Sequence, residues 1–463
     1  MNQKTFFLLI LSVFIVNICS AQSFENKIDS LLSDYNNKPG CAIAIFEKGN
    51  IIFKKGYGYA NLDHKVKITP NTVFDIASVA KQFTASCIIL LEEQKKIKIE
   101  DSIRKYLPEL PKYKKGEIKI YDLLHHTSGL KDYSYYIAPL GKTDYDIISE
   151  EDGFNILTGL RELNFVPRSK YQYSNSNYLA LAVIIRRITG MSIGEFANKN
   201  IFHPLAMNNS LIYEDRNQVI ENRAIGYSSR NKTYIQNHSF NFAMGGDGQL
   251  YTSVEDFFKW HENYKKQIIG GKNFTKKMTE KGILKNGDII DYALGLKIRE
   301  FRGLNSVSHL GSWAGSLSHY LSFPDEDFAV VILSNNSDFE IVPRPYQIAE
   351  IYLEDKMQPV PPSPQKSSSH KKQMNKTEQP KNYSNKELEV FAGEYFNKDL
   401  NVTYEIILKD NKLSVFINGL KYTSLKPNIK KNSFSSDFGE FDFNKINGNL
   451  GFVYRDLIFK KVR

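Results

Sequence analysis

Runs of apolar and β-branched residues predict strands near both ends of the first 355 residues. Cys41–Asn61 holds two such runs on either side of Lys48, Gly49 and Asn50, and this spacing predicts a β-hairpin. Four more strands are predicted about 250 residues later, at Tyr292–Phe301, Ser306–Leu310, Ser316–Phe323 and Phe328–Ser334. An early hairpin whose sheet partners come so late predicts an antiparallel sheet closed by both ends of one domain.

Helical spacing of apolar positions dominates between these strands. The first such pattern precedes the hairpin, at Phe24–Tyr35. The others lie at Asn177–Thr189, Ser192–Asn200, Ser253–Tyr264 and Pro345–Leu353. The predicted fold class is therefore α+β, with an antiparallel sheet flanked by helices and an all-helical insertion.

The last part of the chain changes in character twice. Residues 356–386 are rich in Pro, Ser, Lys and Gln and lack aliphatic spacing, which predicts a basic, flexible linker. In residues 387–463, strand runs such as Thr403–Leu408 and Lys412–Ile417 alternate with turn residues. This alternation predicts a small all-β domain, either a partial barrel or a curled sheet.

Residues 1–21 have the composition of a signal peptide. A lysine precedes the apolar stretch from Phe6 to Ile18, which is shorter than a bilayer-spanning helix requires. We therefore expect an exported protein, periplasmic or secreted, whose main domain is residues 22–355 and which has no stable membrane span. Cys19 leaves a lipoprotein signal open, although Ile18 is bulky where such signals have a small residue.

The composition is that of a globular protein, with 41% hydrophobic and 24% charged residues in a chain of 463. The formal net charge of +10 does not indicate nucleic-acid binding, because residues 356–386 hold seven lysines against one acid. Cys41 and Cys87 lie in apolar runs, so we expect buried free thiols rather than a disulfide.

Seven serines are followed by lysine three positions later, but only Ser78 lies at the start of a strongly apolar helical pattern. Lys81 then lies one turn on, beside the hydroxyl. Serine needs a neighbouring base to become a nucleophile, and a lysine in a crowded apolar site loses its proton more easily. Taken alone, helix capping by Ser78 explains the same pattern. The other six occurrences are expected in surface, turn or linker segments and begin at Ser102, Ser128, Ser229, Ser363, Ser368 and Ser369.

Two further short motifs follow along the chain. Tyr173 and Asn175 flank a serine just before an apolar helix, and these side chains suit proton transfer and amide binding, although packing and capping also explain them. His309 ends a predicted strand and is followed by Gly311 and Ser312. Glycine there allows a substrate to approach the backbone, leaving N–H groups free to stabilise an oxyanion.

Together, Ser-x-x-Lys, Tyr-Ser-Asn and His-x-Gly in this order resemble the motifs of penicillin-binding-protein-like serine hydrolases, the family related to class C β-lactamases. The strings LLHHTSGL at Leu123–Leu130 and GDGQLYTSVEDFFKW at Gly246–Trp260 add to the resemblance. It covers about residues 27–355. The C-terminal segment looks like the small β domain that some members carry.

The resemblance implies a mechanism through an acyl-enzyme. Ser78 attacks a carbonyl carbon while Lys81 and Tyr173 share the proton transfers. Tyr173 is expected to be the general base, with Lys81 holding its pKa down. Water then hydrolyses the acyl-enzyme.

The same resemblance implies where the substrate binds. Asn175 would orient it, and His309 would stand beside Tyr173 on the side of the substrate's carboxylate. Gly311 would let the substrate approach, and the N–H groups of Ser78 and Ser312 would form the oxyanion hole.

One departure from the family pattern bears on the substrate. Many β-lactamases of the family have Lys-Thr-Gly where this chain has His309, Leu310 and Gly311, and histidine is mostly neutral at pH 7. The predicted function is therefore an exported serine hydrolase of ester or D-amino-acid peptide bonds. The alternatives are a β-lactamase or D-alanyl-D-alanine carboxypeptidase, and a catalytically silent protein that binds envelope peptides.

We expect no metal and no cofactor. His125 and His126 are adjacent, so on a helix they point about 100° apart, and no acidic partner follows at ligand spacing. The expected partner is a small-molecule ester or peptide, with cell-wall peptides among the candidates, and neither nucleic acid nor a membrane.

Overall fold

The computed structural model describes residues 24–143, 145–237, 241–359, 380–446 and 448–463. A six-stranded antiparallel sheet lies at the centre of its larger part, in the spatial order β3-β4-β5-β6-β1-β2. The strands are β1 (Cys41–Glu47), β2 (Asn50–Tyr57), β3 (Lys297–Phe301), β4 (Leu304–Trp313), β5 (Ser316–Phe323) and β6 (Phe328–Ser334). Cys41 pairs with Ser334, so the early hairpin joins the late strands. The predicted α+β sheet, closed by both ends of the domain, is confirmed.

Helices and short strand pairs complete this part. The helices are α1 (24–32), α2 (Lys81–Glu93), α3 (Ile120–Leu124), α4 (Glu150–Gly159), α5 (Asn175–Thr189), α6 (Ile193–Ala197), α7 (Val254–Lys266), α8 (Phe274–Thr279) and α9 (Pro343–Leu353). The short strands outside the central sheet are Tyr59–Asn61, Val66–Lys67, Phe74–Asp75, Ile148–Ser149, Leu211–Ile212, Tyr227–Arg230, Thr233–Gln236, Phe242–Ala243 and Leu250–Thr252.

The central sheet is covered by helices on both faces. Ile43 and Val330 pack towards α1 and α9, whereas the neighbouring Ala44 and Val331 belong to the larger core around α2 and α5. Successive side chains of a strand point to opposite faces of the sheet. A strand whose two faces are both covered by helices therefore needs apolar residues at every position. This requirement explains the continuous apolar runs of β1 and β6.

The predicted strand Tyr292–Phe301 is five residues too long, because β3 begins only at Lys297. The preceding residues turn back, with the N–H of Ala293 donating to the carbonyl of Leu296 at 2.8 Å. Gly295 has a φ of +74° in this turn, and a Cβ there would lie 2.4 Å from the backbone nitrogen of Gln82. The turn therefore packs on the start of α2. Strand propensity is a local property and does not predict this tertiary contact.

The C-terminal part is a closed barrel of eight strands, rather than a partial one. Aromatic rings fill its interior, among them Tyr404 and Phe452, and the rings of Phe452 and Phe459 stack at 4.7 Å. The strands are β7 (Gly393–Asn397), β8 (Val402–Lys409), β9 (Lys412–Ile417), β10 (Leu420–Pro427), β11 (Ser433–Ser436), β12 (Gly439–Ile446), β13 (Asn449–Tyr454) and β14 (Leu457–Lys461).

The barrel packs on the helical region of the larger part. One buried cluster combines barrel side chains with residues of the segment 133–160. Across this contact the hydroxyl of Tyr404 donates to the carbonyl of Pro139 at 2.8 Å, and the hydroxyl of Tyr136 lies 2.7 and 2.8 Å from the carboxylate oxygens of Asp456. The barrel therefore braces the segment next to Tyr133.

The expected signal peptide, residues 1–21, and residues 360–379 of the expected linker lie outside the described residues. A short helix, α10 (Asn385–Glu389), begins within the predicted linker, where the hydroxyl of Ser384 accepts the N–H of Glu387 as an N-cap. Cys41 and Cys87 are buried free thiols, as expected. In the described residues, no helix is both long and apolar enough to cross a bilayer.

Candidate active site

Ser78 follows a strained turn that two neighbouring side chains hold. Ala77 has a φ of +46°, which L-residues rarely adopt, and its N–H donates to the carboxylate of Asp75 at 2.8 Å. The hydroxyl of Ser318, on β5, donates to the carbonyl of Ile76 at 2.6 Å. Ser78 is predicted in the first turn of the helix, but it lies in a 3-10 turn, Ala77–Ala80, that leads directly into α2.

Lys81 contacts the nucleophile directly. Its Nζ lies 3.0 Å from Oγ of Ser78 and 2.9 Å from Oδ1 of Asn175, and it also donates to the backbone carbonyl of Asp247. Burial lowers the pKa of Lys81 to about 8, although the nearby charges of Asp247 and Asp132 oppose that shift. A lysine with this pKa is partly neutral near pH 8 and can then accept the serine proton.

Tyr173 contacts the same oxygen from another side, with its hydroxyl 2.9 Å from Oγ of Ser78. Burial raises the pKa of Tyr173 above its ordinary value, and Lys81 lies over its ring with Nζ 5.0 Å from the centroid. This direction does not support the expectation that Lys81 holds the pKa of Tyr173 down, and the choice between Lys81 and Tyr173 as the base stays a prediction. The hydroxyl of Tyr173 is placed to donate to Oγ of Ser78.

His309 is held as a neutral ring by two hydrogen bonds. A carbonyl only accepts, so the 2.7 Å contact with the carbonyl of Leu310 places the proton on Nδ1. Nε2 therefore accepts from the hydroxyl of Tyr292 at 3.1 Å. Burial and, next, the charge of Lys81 lower the pKa of His309 to about 3. His309 lies beside Tyr173, with ring centroids 6.3 Å apart, and carries no charge.

His126 completes a directed chain of hydrogen bonds behind the site. Its Nδ1 accepts from the N–H of Ser174 at 3.2 Å and faces Nδ2 of Asn177 at 2.9 Å, so its proton is on Nε2. Nε2 donates to the hydroxyl of Tyr292 at 3.2 Å, and that hydroxyl donates on to His309. The chain connects the loop that carries Tyr173 with the strand that carries His309.

The end of β4 presents a free edge to the nucleophile. β3 stops with Lys297 opposite Ser308, so among the described strands none pairs with residues 309–313 on that side. Trp313 and Ser316 close a two-residue hairpin, and backbone groups alternate between the two sides of a strand, so the N–H of Ser312 points to the free edge.

Gly311 allows this edge to approach the nucleophile turn. A Cβ at Gly311 would lie 2.2 Å from the carbonyl oxygen of Ile76, 2.3 Å from Oγ of Ser318 and 3.2 Å from Cβ of Ala77. Any side chain would therefore push β4 away from the turn.

A cavity of about 90 Å³ opens beside Ser78. The polar Ser78 and Asn175 line it together with the apolar Phe242, Met244 and Trp313. Its remaining walls include Ser312, Tyr133 and Asp247.

The structure brings together the predicted site residues. Direct hydrogen bonds connect Ser78, Lys81, Tyr173 and Asn175. The remaining three predicted residues lie on β4, and one of them, Ser312, lines the same cavity as Ser78; the other two are His309 and Gly311. Sequence reasoning missed Tyr292, which lay inside a predicted strand, and Tyr133, which belongs to no motif. Asp247 lies in the string GDGQLYTSVEDFFKW, but no feature of that string predicts that its side chain lies in the site. Within the described residues, no group of three His, Cys, Asp or Glu side chains is placed to hold a metal ion.

The family model described as Beta-lactamase matches residues 28–353. Penicillin-binding protein 4* of Bacillus subtilis is 31% identical over 313 residues, which are 63% of this chain and 67% of the relative. A D-aminopeptidase of Gluconobacter oxydans is 24% identical over 319 residues, 68% of this chain and 60% of the relative. The chain thus spans only about three fifths to two thirds of the length of these curated relatives.

Solved structures show the same fold at lower identity. The octameric penicillin-binding protein homologue from Pyrococcus abyssi matches with a TM-score of 0.62 and 21% identity, over 96% of this chain and 100% of its own. The D-amino acid amidase from Ochrobactrum anthropi matches with a TM-score of 0.59 and 20% identity, over 72% of this chain and 98% of its own.

Proposed function

Because the chain belongs to the beta-lactamase family, we propose that it is a serine hydrolase that forms an acyl-enzyme on Ser78. The observation that carries this proposal is the convergence of Nζ of Lys81 and the hydroxyl of Tyr173 on Oγ of Ser78, at 3.0 and 2.9 Å. A protein that only binds envelope peptides needs neither contact.

In the proposed reaction, neutral Lys81 takes the proton of Ser78 while Oγ forms a bond to the substrate carbonyl carbon. The N–H groups of Ser78 and Ser312 stabilise the oxyanion. When the oxyanion collapses, the bond to the leaving alcohol or amine breaks, and the proton passes to it from Lys81 through the Tyr173 hydroxyl. Water then attacks the acyl carbon while neutral Lys81 takes a proton from it. The bond between the acyl carbon and Oγ breaks, and the proton passes to Oγ, which frees Ser78 and the carboxylic acid product.

The proposed substrates are esters or peptide bonds of D-amino acids. Relatives named for D-aminopeptidase activity and a structural neighbour named as a D-amino acid amidase support this class. A β-lactam or a C-terminal D-alanyl-D-alanine carries a carboxylate, whereas His309 at the corresponding position is neutral with a lowered pKa. Efficient β-lactam or carboxypeptidase turnover is therefore not expected.

We also propose that residues 1–21 direct export and are removed. This would leave residues 22–355 as the hydrolase domain, 356–386 as linker and 387–463 as the β domain. Expression of the full chain in a bacterial host tests export: the mature protein should be found outside the cytoplasm with an N-terminus near Gln22. An intact N-terminus in the cytoplasm would contradict it.

A substrate panel tests the proposed function. Purified protein and Ser78→Ala are compared on p-nitrophenyl butyrate, D-alanine p-nitroanilide and a chromogenic cephalosporin. We expect turnover of the ester, the anilide or both that depends on Ser78, and much slower turnover of the cephalosporin. If wild type and Ser78→Ala hydrolyse all three equally slowly, the protein is no hydrolase of this class.

A further inference from the structure

Asp75 is a buried acid close to the nucleophile that the proposed mechanism does not use. Its Oδ1 accepts the N–H of Ala77 at 2.8 Å, whereas its Oδ2 is buried without a hydrogen-bond partner among the described residues. Burial, together with the negative charge of Asp247, raises the pKa of Asp75 to about 7. A buried acid with one of its oxygens unpaired lowers the stability of the folded state.

The residue that Asp75 holds is strained. Ala77 has a φ of +46°, and an L-residue adopts this left-handed conformation only at an energetic cost. Two features that each lower stability therefore meet in one hydrogen bond, directly before Ser78. Strain of this kind persists where the surrounding structure maintains it, and it is concentrated at functional sites. The position of this hydrogen bond indicates that it serves the reaction.

The strained turn leaves the N–H of the nucleophile free. The N–H of Ala77 is already a donor, and that of Val79 donates to the carbonyl of Ile76 at 3.1 Å. Between them, the N–H of Ser78 has no hydrogen bond recorded among the described residues. The planar peptide that carries this N–H follows Ala77 directly, so the backbone dihedral angles of Ala77 set its direction. Ala77, Ser78 and Ser312 all line the cavity.

We propose that Asp75 is a positioning residue of the reaction: it holds Ala77 in the left-handed conformation and thereby aims the N–H of Ser78 at the oxyanion. This inference rests on the proposed acyl-enzyme at Ser78. It adds a residue that acts through the backbone, since Asp75 is not among the described residues that line the cavity. The role requires an acceptor and not a charge, because the oxygen of an uncharged amide also accepts an N–H.

Substitutions of Asp75 test this role through kcat and KM for p-nitrophenyl butyrate. Asp75→Ala and Asp75→Val both remove the acceptor, and valine also fills the buried space. We expect kcat to fall at least about tenfold in both, with KM changed less than about threefold, because a misdirected oxyanion donor affects the transition state more than the bound substrate. Asp75→Asn keeps an acceptor for the N–H of Ala77, so its kcat should stay within about threefold of wild type.

Glycine at position 77 provides a second-site test. Glycine adopts positive φ about as readily as negative φ, so Ala77→Gly should make the turn largely independent of Asp75. We expect the double variant of Asp75→Ala with Ala77→Gly to regain most of the kcat that Asp75→Ala alone loses. Ala80→Gly is the matched control, because Ala80 belongs to the same turn but has a φ of −61°, and it should restore nothing.

Thermal unfolding of each variant establishes that folded proteins are compared. An unchanged kcat in Asp75→Val, or a loss in Asp75→Asn as large as in Asp75→Val, would refute the positioning role. Equal recovery with Ala77→Gly and Ala80→Gly, or none with either, would refute it too, because Asp75 would then not act through Ala77. In each of these cases the wild type still hydrolyses the ester. If Ser78→Ala hydrolyses the ester as fast as the wild type, the proposed function itself fails instead.

Discussion

At the scale of single residues, burial decides how the proton of Ser78 is handled. Both Lys81 and Tyr173 touch its oxygen, and removal from water disfavours the charged form of each. For lysine this makes the basic, neutral form accessible, whereas for tyrosine it makes the basic, anionic form less accessible. The same physical effect therefore favours one candidate base and disfavours the other.

The pH dependence of kcat/KM follows from this assignment. Lys81 is active when neutral and its pKa is lowered to about 8, so activity should rise with pH through about 8 and then level off. Below that pH, kcat/KM should fall by about tenfold for each unit. Tyr173→Phe should lower the plateau and keep the midpoint. A rising limb that disappears in Tyr173→Phe would instead identify the tyrosine as the base.

Tyr292 is a positioning residue for this site. Tyr292→Phe leaves Nε2 of His309 and the Nε2–H of His126 without partners, which should cost about 1–3 kcal/mol in the free energy of unfolding and lower kcat/KM by about tenfold. Tyr171→Phe is the matched control, because the Tyr171 ring also packs on Tyr292. Its hydroxyl has no hydrogen bond recorded among the described residues. Both variants are measured by thermal unfolding and by kinetics. Equal effects of the two would refute a positioning role for the hydrogen bonds that run from His126 through Tyr292 to His309.

At the scale of elements, the helix that carries Ser78 could be predicted, but the turn before it could not. The apolar spacing up to Glu93 predicts a buried helix from the local sequence alone. The left-handed conformation of Ala77 depends on Asp75 and on Ser318. Ser318 lies on β5, 242 residues from Ile76, whose carbonyl it contacts. A local pattern contains no information about such a distant partner.

We expect a single methyl group added at Gly311 to disrupt the contact between β4 and the nucleophile turn. In Gly311→Ala the new Cβ would lie 2.2 Å from the carbonyl oxygen of Ile76, so we expect a loss of about 1–3 kcal/mol in stability and a fall in kcat. Gly248→Ala is the control, since its Cβ would approach the same turn at 3.8 Å, an ordinary contact. Equal melting temperatures of the two variants would show that the close approach of Gly311 to the nucleophile turn does not contribute to stability.

At the scale of the whole molecule, the order of the motifs and the strand pattern were sufficient to predict the family and the fold. The predicted family is confirmed by the match over residues 28–353. The predicted sheet is also confirmed, but β3 begins five residues later than predicted, and β4 runs over Leu304–Trp313 instead of Ser306–Leu310, so His309 lies inside the strand and does not end it. The cavity was not predictable, because Tyr133 and Asp247 come from segments more than 100 residues apart. Neither segment has a pattern that distinguishes a cavity wall from a loop.

The barrel and the larger part should unfold together, because one buried cluster spans both. Tyr404→Phe removes a hydrogen bond across the contact, to Pro139, and Tyr395→Phe removes one inside the barrel, to Phe391. Each should cost about 1 kcal/mol. In calorimetry we expect one transition that both variants shift by similar amounts. Two transitions, only one of which responds to Tyr395→Phe, would show independent units.

Covalent labelling of Ser78 tests the acyl-enzyme most directly. The full chain, Ser78→Ala and the control Ser312→Ala are treated with a fluorophosphonate, and the adducts are measured by intact-mass and peptide mass spectrometry. Ser312 is proposed to act through its backbone N–H, so its variant should still react. The acyl-enzyme mechanism predicts one adduct per chain on the peptide that contains Ser78, and none in Ser78→Ala. Equal labelling of Ser78→Ala, or no labelling of the wild type, would contradict it.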